Sequence, residues 1–94
     1  MPEIEIYTQP WCPYCAQAKS ILDGKGVTYR EIDAPSGTPA RAEAMERAGG
    51  RTSVPQIFIG GRHVGGCDDL MALERAGKLD PMLAPEQGAS ARAG

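Results

Sequence analysis

Residues 4–15 read IEIYTQPWCPYC and carry the pattern that decides the fold. Ile4 and Ile6 alternate with glutamates, which is typical of a strand with one buried face. Pro13 suits the first position of a helix, where its missing N–H is not needed and its φ angle is already set. The stretch therefore predicts a β-strand, a short loop, and a helix that begins at the two cysteines.

The cysteine pair points to thiol–disulfide exchange. Cys12 falls at the predicted N-cap, where unpaired N–H groups and the helix dipole favour its thiolate form, the reactive state of a thiol. Cys15 lies one turn inward, so we expect it to be less exposed. These positions predict that Cys12 attacks and Cys15 resolves the mixed disulfide. Pro13 stiffens the turn, Tyr14 offers an aromatic wall beside the sulfur, and Lys19 adds weaker long-range support.

The rest of the chain continues as an α/β pattern. It predicts a strand through Val27, Tyr29 and Ile32, a helix capped by Thr38-Pro39, a hairpin turning at Gly60-Gly61, and a last helix from Asp68. The element order is β-α-β-α-β-β-α. Strands joined by a helix should lie parallel and the hairpin adds antiparallel strands, which predicts a small four-stranded mixed sheet flanked by helices.

Composition limits the function classes. A chain of 94 residues suits one domain, and a net charge of −2 without a basic stripe argues against nucleic acid or an anionic membrane as partner. We found no apolar run of the ~18–20 residues that a membrane span needs, and residues 1–5 do not resemble a signal peptide. Three cysteines, two of them in one motif, do not form a disulfide framework. We expect a cytoplasmic protein, with a domain at 1–83 and a flexible tail at 84–94.

A zinc site is the main alternative for the cysteine pair. Zinc requires about four ligands, and only Cys67 and His63 remain as candidates. The ligand count disfavours this reading, so no metal is expected. A lone cysteine is usually a small buried hydrophobic residue, which we expect of Cys67. We expect His63 on the surface, Trp11 exposed in the loop, and the arginines mainly on a solvated face.

Three blocks in order make a family resemblance specific. They are CPYC at 12–15, SVPQIFI at 53–59 and GGCDDL at 65–70. Together, over about residues 4–83, they resemble a dithiol glutaredoxin of the bacterial glutaredoxin-3 type. The resemblance implies a thioredoxin-like fold and a glutathione-dependent enzyme that reduces protein disulfides and glutathione mixed disulfides. It implies glutathione as co-substrate, with no metal or organic cofactor.

The resemblance also implies a glutathione site and a cis peptide bond between Val54 and Pro55, with its backbone facing the thiols. Many relatives carry lysine where this chain has Gln9, so we expect weaker binding of the glycyl carboxylate unless Lys19, Arg41 or Arg51 supplies the charge. The expected binding residues are Gln9, Tyr14, Ser53, Val54, Pro55, Gly66, Cys67, Asp68 and Asp69.

The expected partners are glutathione and glutathionylated or disulfide-containing proteins, which the protein meets as a monomer. Two other functions stay open at this point. One is a redoxin recycled by thioredoxin reductase, which the glycines and aspartates of residues 65–69 disfavour. The other is an iron–sulfur cluster shared between two monomers through Cys12 and two glutathiones, which the stiffness of Pro13 disfavours.

Overall fold

The computed structural model describes residues 2–84, which form one mixed sheet with helices on both faces. The sheet order is β2-β1-β3-β4. The elements, in chain order, are β1 (Ile4–Thr8), α1 (Pro13–Gly24), β2 (Arg30–Asp33), α2 (Pro39–Arg47), β3 (Gln56–Ile59), β4 (Arg62–Gly65), α3 (Cys67–Arg75) and α4 (Leu79–Leu83).

The pairing of the strands confirms the predicted α/β architecture. β1 and β2 are parallel and joined through α1, whereas β3 lies antiparallel to both β1 and β4. Gly60 and Gly61 have φ angles of 60° and 82° at the hairpin turn. Residues with a side chain rarely adopt these angles, and tight hairpin turns of this kind require them.

Alternation along the strands divides the core between the two sheet faces. Ile4 and Ile6 pack with Leu22 of α1 and Leu70 of α3 on one face. On the opposite face, Tyr7 and Phe58 pack with alanines of α2. Complete burial of a large apolar side chain contributes about 1.5–3 kcal/mol, so these two layers hold the carboxyl end of β1, and the cysteine loop after it, in a fixed place.

One strand boundary and one helix differ from the prediction. β2 begins at Arg30, so the predicted start at Val27 was too early. Val27 and Tyr29 are half-buried against the core without joining the ladder, and apolar spacing alone does not distinguish these two cases. The short helix α4 was missed. It buries Leu79 and Leu83, and five residues are too few to show a helical period.

Two further expectations concern the C-terminal tail and the presence of a membrane-spanning helix. The predicted tail lies, from residue 85 onward, outside the described residues. Within residues 2–84 no helix has the length and apolar character that crossing a membrane requires.

Candidate active site

Cys12 and Cys15 lie at the start of α1, paired with each other. Cys12 is the N-cap, with extended backbone angles, and Pro13 occupies the first helical position. The two sulfurs are at bonding distance and the two Cα atoms are 5.2 Å apart, which suits a disulfide. Cys12 is half-buried, whereas Cys15 is only 2% exposed. An incoming sulfur therefore reaches Cys12 first.

The backbone at the helix start is directed at the Cys12 sulfur. The N–H of Cys15 donates to Cys12 Sγ, with the nitrogen 3.1 Å away. This N–H belongs to the first turn, whose donors have no partner within the helix. A negative charge on Cys12 is stabilised by the same donor and by the positive end of the helix dipole.

The loop before β3 faces the cysteines across a cis peptide bond. Val54-Pro55 is cis, as the resemblance implied. Cys12 Sγ lies 3.9 Å from the carbonyl oxygen of Val54. The main chain of Val54 therefore stands directly beside the reactive sulfur.

A cleft runs from Tyr14 past this loop to the start of α3, and we call it the Val54 cleft. Seven of the predicted binding residues line it, with Arg51 as an eighth lining residue; the seven are Tyr14, Ser53, Val54, Pro55, Gly66, Cys67 and Asp68. Tyr14 is 61% exposed, so its ring is available to a ligand. The structure thus brings together three sequence blocks that are far apart in the chain.

Asp69 and Arg51 organise the start of α3. Asp69 Oδ2 accepts from the backbone N–H of Gly66 at 2.9 Å and from Arg51 Nη1 at 2.9 Å. The Gly66 N–H and the Arg51 guanidinium hold the pKa of Asp69 below its ordinary value. Asp69 is therefore a capping residue that is already engaged, whereas the exposed Asp68 lines the cleft.

Arg41 brings a positive charge next to Gln9. Arg41 Nη1 donates to Gln9 Oε1 at 2.9 Å and to the carbonyl of Ala34 at 2.9 Å, while Nη2 donates to the carbonyl of Thr52 at 3.0 Å. One guanidinium therefore connects the loop before Cys12 with the loop before Val54. The expectation that the arginines lie mainly on a solvated face was wrong for Arg41.

The same expectation was wrong for Arg47. Its guanidinium carbon lies 4.0 Å from the centre of the Phe58 ring, and it donates to Glu5 at 2.8 Å and to the Tyr7 hydroxyl at 2.8 Å. The ion pair with Glu5 raises the pKa of Arg47. Arg47 packs α2 onto the sheet, and its pairing depends on sheet neighbours that are distant in sequence.

A second concavity, the Trp11 groove, lies on another side of Cys12 and includes Trp11, Lys19, Glu31 and Asp33. Trp11 is 98% exposed, as predicted, and has a positive φ of 59°. Lys19 Nζ binds Glu31 at 2.9 Å, and Thr8 Oγ1 donates to the same carboxylate at 2.7 Å. These contacts lower the pKa of Glu31. The charge of Lys19 is therefore shared with Glu31 rather than directed at Cys12 alone.

Cys67 and His63 do not complete a metal site. Cys67 is 4% exposed, its sulfur lies 3.8 Å from Met71 Sδ, and burial raises the pKa of its thiol. His63 is exposed, as predicted, although its Nε2 reaches the amide of Gln56. Among residues 2–84, no three His, Cys, Asp or Glu side chains are grouped closely enough to hold a metal ion.

A more accessible cysteine paired with a buried one at a helix start, on a thioredoxin-like sheet, is typical of a dithiol thiol–disulfide oxidoreductase. The sequence profile of the family described as Glutaredoxin matches residues 4–64. The chain belongs to the glutaredoxin family. Members of this family are glutathione-dependent thiol–disulfide oxidoreductases that need no resident cofactor, so the chain is an enzyme of that class.

Individual relatives agree with the family match. The chain is 58% identical over 83 residues to a protein named Glutaredoxin from Pseudomonas aeruginosa, with 88% of this chain and 98% of that protein covered. It is 52% identical over 83 residues to Glutaredoxin 3 of Escherichia coli, covering 88% and 99%. The crystal structure of the buckwheat glutaredoxin–glutathione complex is similar, with a TM-score of 0.79, 35% identity, and coverage of 94% of this chain and 81% of that chain.

Proposed function

We propose that this enzyme removes glutathione from mixed disulfides by attack of Cys12 on the glutathionyl sulfur. The Cys12–sulfur bond forms as the old S–S bond breaks, and the substrate leaves as a thiolate. A second glutathione thiolate then attacks the glutathionyl sulfur held on Cys12. Glutathione disulfide leaves and the Cys12 thiolate is regenerated.

Protein disulfides require both cysteines. Cys12 attacks one sulfur of the substrate and forms a mixed disulfide, releasing the first substrate thiolate. Cys15 then attacks the Cys12 sulfur, which releases the second substrate thiolate and closes the Cys12–Cys15 disulfide. Two glutathiones reduce this bond and leave as one glutathione disulfide. The pairing of the two sulfurs supports this role for Cys15.

The Val54 cleft is the proposed site for the glutathionyl half. The Val54 backbone can pair with the cysteinyl residue of glutathione in the manner of an added strand. At the start of α3, the N–H groups of Cys67 and Asp68 have no hydrogen-bond acceptor within the helix. They are therefore suited to bind the γ-glutamyl carboxylate. Because the Asp69 carboxylate is engaged in capping, we assign the γ-glutamyl ammonium to Asp68.

Arg41 is the proposed source of charge for the glycyl carboxylate. Its guanidinium holds Gln9 and the loop of Thr52 together, so a positive charge stands near the neutral amide of Gln9. The guanidinium N–H groups are largely engaged by Gln9, Ala34 and Thr52, so Arg41 acts on the carboxylate mainly through its positive charge. Gln9 orients the end of glutathione, and Arg41 contributes the electrostatic part.

The Trp11 groove is the proposed contact for the protein half of a substrate. Trp11 is almost fully exposed next to Cys12, and an exposed aromatic ring beside a reactive group is typical of a recognition surface. We further propose that the enzyme works as a monomer in the cytoplasm, where the glutathione pool keeps thiols reduced. Residues 1–83 are the proposed functional domain.

The contact of Cys12 Sγ with both the Cys15 N–H and the Val54 carbonyl carries this proposal. The test is turnover of a glutathionylated peptide with glutathione, glutathione reductase and NADPH. We expect steady NADPH consumption that depends on the protein. Recycling of the oxidised protein by thioredoxin reductase, with none by glutathione, would instead support the thioredoxin-like alternative.

A further inference from the structure

A series of polar contacts through the buried side chain of Gln56 connects β4 with the loop that precedes the cis peptide bond. His63 Nε2 lies 2.7 Å from Gln56 Oε1. The other end of that amide, Gln56 Nε2, donates to the carbonyl of Ser53 at 3.1 Å and lies 3.5 Å from Ser53 Oγ. This series of contacts ends at Ser53, one residue before Val54, whose carbonyl faces Cys12 Sγ.

Contacts at both ends fix the orientation of the Gln56 amide. Gln56 is fully buried, and a buried amide needs partners for both of its ends. The Ser53 carbonyl can only accept, so the NH2 group of Gln56 faces it and the amide oxygen is left to His63. Because that amide oxygen also can only accept, His63 Nε2 carries the proton and donates.

The sheet holds His63 in the position that this contact requires. His63 is paired with Phe58 across β3 and β4, next to an irregularity between Ile57 and Phe58. The centres of the His63 and Phe58 rings are 5.1 Å apart, with the planes tilted by 36°. A bulge of this kind re-aims the side chains beside it. The imidazole is thus anchored by the sheet on one side and bound to Gln56 on the other.

We propose that His63 and Gln56 are positioning residues that hold the Ser53–Val54 backbone where the glutathionyl group pairs with it. This inference rests on the proposed glutathione site. Neither residue touches the reacting sulfurs; both act through the carbonyl of Ser53. Without the donor on residue 63 the buried amide oxygen of Gln56 loses this partner, so the amide is held less firmly against the Ser53 carbonyl and its loop.

Two substitutions of His63 distinguish the effect of its N–H donor from the effect of its aromatic ring. His63→Phe keeps an aromatic ring against Phe58 and removes the donor. His63→Gln removes the ring but carries an N–H donor as many bonds from Cβ as the imidazole Nε2. Arg62→Ala, one residue earlier on β4 and exposed, is the matched control. If His63→Phe does not fold, His63→Asn replaces it, because its shorter amide stops short of Gln56.

We expect kcat/KM for a glutathionylated peptide to fall roughly three- to tenfold in His63→Phe, the loss that corresponds to one buried hydrogen bond. In His63→Gln, kcat/KM should return most of the way to the wild-type value. In Arg62→Ala, kcat/KM should equal the wild-type value. The rate at which iodoacetamide alkylates Cys12 should be unchanged throughout, because that reagent does not use the Val54 backbone.

Several results would overturn the inference. One is a kcat/KM in His63→Phe that equals the wild-type value. Another is a kcat/KM that falls as far in His63→Gln as in His63→Phe, which would assign the effect to the loss of the aromatic ring. A changed alkylation rate in His63→Phe would mean that the effect acts on the thiol. A wild-type enzyme that does not turn over the peptide would reject the proposed function and this inference with it, so the two failures are distinguishable.

Discussion

The backbone N–H of Cys15 points at the sulfur of Cys12, with the nitrogen 3.1 Å from Sγ. The same three-residue spacing that pairs the two sulfurs also brings the Cys15 amide to the sulfur of Cys12. A cysteine at a helix N-cap occupies the position that Ser, Thr, Asp or Asn usually takes. The helix start therefore favours a negative charge on Cys12, which supports the proposed order in which the thiols act.

The two cysteines should separate the two proposed reactions. Cys12→Ser should abolish turnover of both glutathionylated peptides and protein disulfides, because no attacking thiolate remains. Cys15→Ser should keep the first activity and lose the second, because glutathione itself can release a glutathionyl group from Cys12. The coupled NADPH assay measures both. Loss of both activities in Cys15→Ser would contradict the assignment of the resolving role.

Arg41 should influence glutathione affinity more than the chemical step. Arg41→Ala removes the charge beside Gln9 and frees the Thr52 carbonyl, so we expect KM for the glutathionylated peptide to rise roughly five- to twentyfold, as for the loss of a charge-assisted hydrogen bond. kcat should change less than twofold. Arg75→Ala, exposed on α3, is the control for the loss of one positive charge. An unchanged KM in Arg41→Ala would remove Arg41 from the site.

Asp69 should make the free energy of unfolding of the reduced protein depend on pH in the acid range. Its pKa lies below the ordinary value of 3.8 because of the Gly66 N–H and Arg51. Its contribution to stability is thus fully present above pH ~4, the pKa of an unfolded aspartate, and is lost as the pH falls through the lower folded pKa. We expect Asp69→Asn to lower the free energy of unfolding at pH 7.

Urea denaturation of wild type and Asp69→Asn at a series of pH values measures this effect. The gap between the two curves should stay constant from pH 7 to about pH 5 and should narrow below about pH 4. Glu43→Gln, exposed on α2, controls for the loss of a negative charge without such a cap. A gap that persists unchanged to pH 2 would show that the charge of Asp69 is not what stabilises the start of α3.

Gly65 should not tolerate a side chain. Its φ angle is +122°, and a Cβ there would meet the Asp69 carboxylate and lie 2.9 Å from Arg51 Nη1. We expect Gly65→Ala to destabilise the protein by about 1–3 kcal/mol, the cost of a strained backbone conformation, and to weaken glutathione binding through the displaced Asp69.

Gly24→Ala is the matched control for this substitution. Gly24 is the last residue of α1, its φ is not positive, and a Cβ there has open space. We expect this variant to be neutral or up to about 1 kcal/mol more stable. Thermal unfolding of both variants tests the pair, and equal effects at the two glycines would contradict the steric argument.

The local features of the chain were predictable because neighbouring residues carry them. Pro13 and the cysteine spacing indicated the start of α1, and Thr38-Pro39 indicated the start of α2, where Thr38 Oγ1 accepts from the N–H of Arg41 at 3.2 Å. The glycine pair at 60 and 61 indicated the hairpin. Each of these signals depends on backbone chemistry within a few residues.

The partners of the charged side chains were not predictable in the same way. Arg41 meets Gln9 across a sequence separation of 32, and Arg47 meets Glu5 across a separation of 42. Asp69 was expected to bind glutathione, and its contacts with Gly66 and Arg51 show that it caps α3. His63 showed no sequence signal for its contact with Gln56, since a lone histidine on a short strand resembles any surface residue.

Neighbouring residues alone predict that Cys12 is the attacking thiol, because a helix begins where Pro13 allows it and the first turn of any helix offers free N–H groups. The surroundings of that sulfur depend instead on residues distant in the chain. The Val54 carbonyl reaches it, and the start of α3 lines the cleft beside Val54, through the order of the strands in the sheet. Long-range pairing of this kind leaves no periodic trace in the chain.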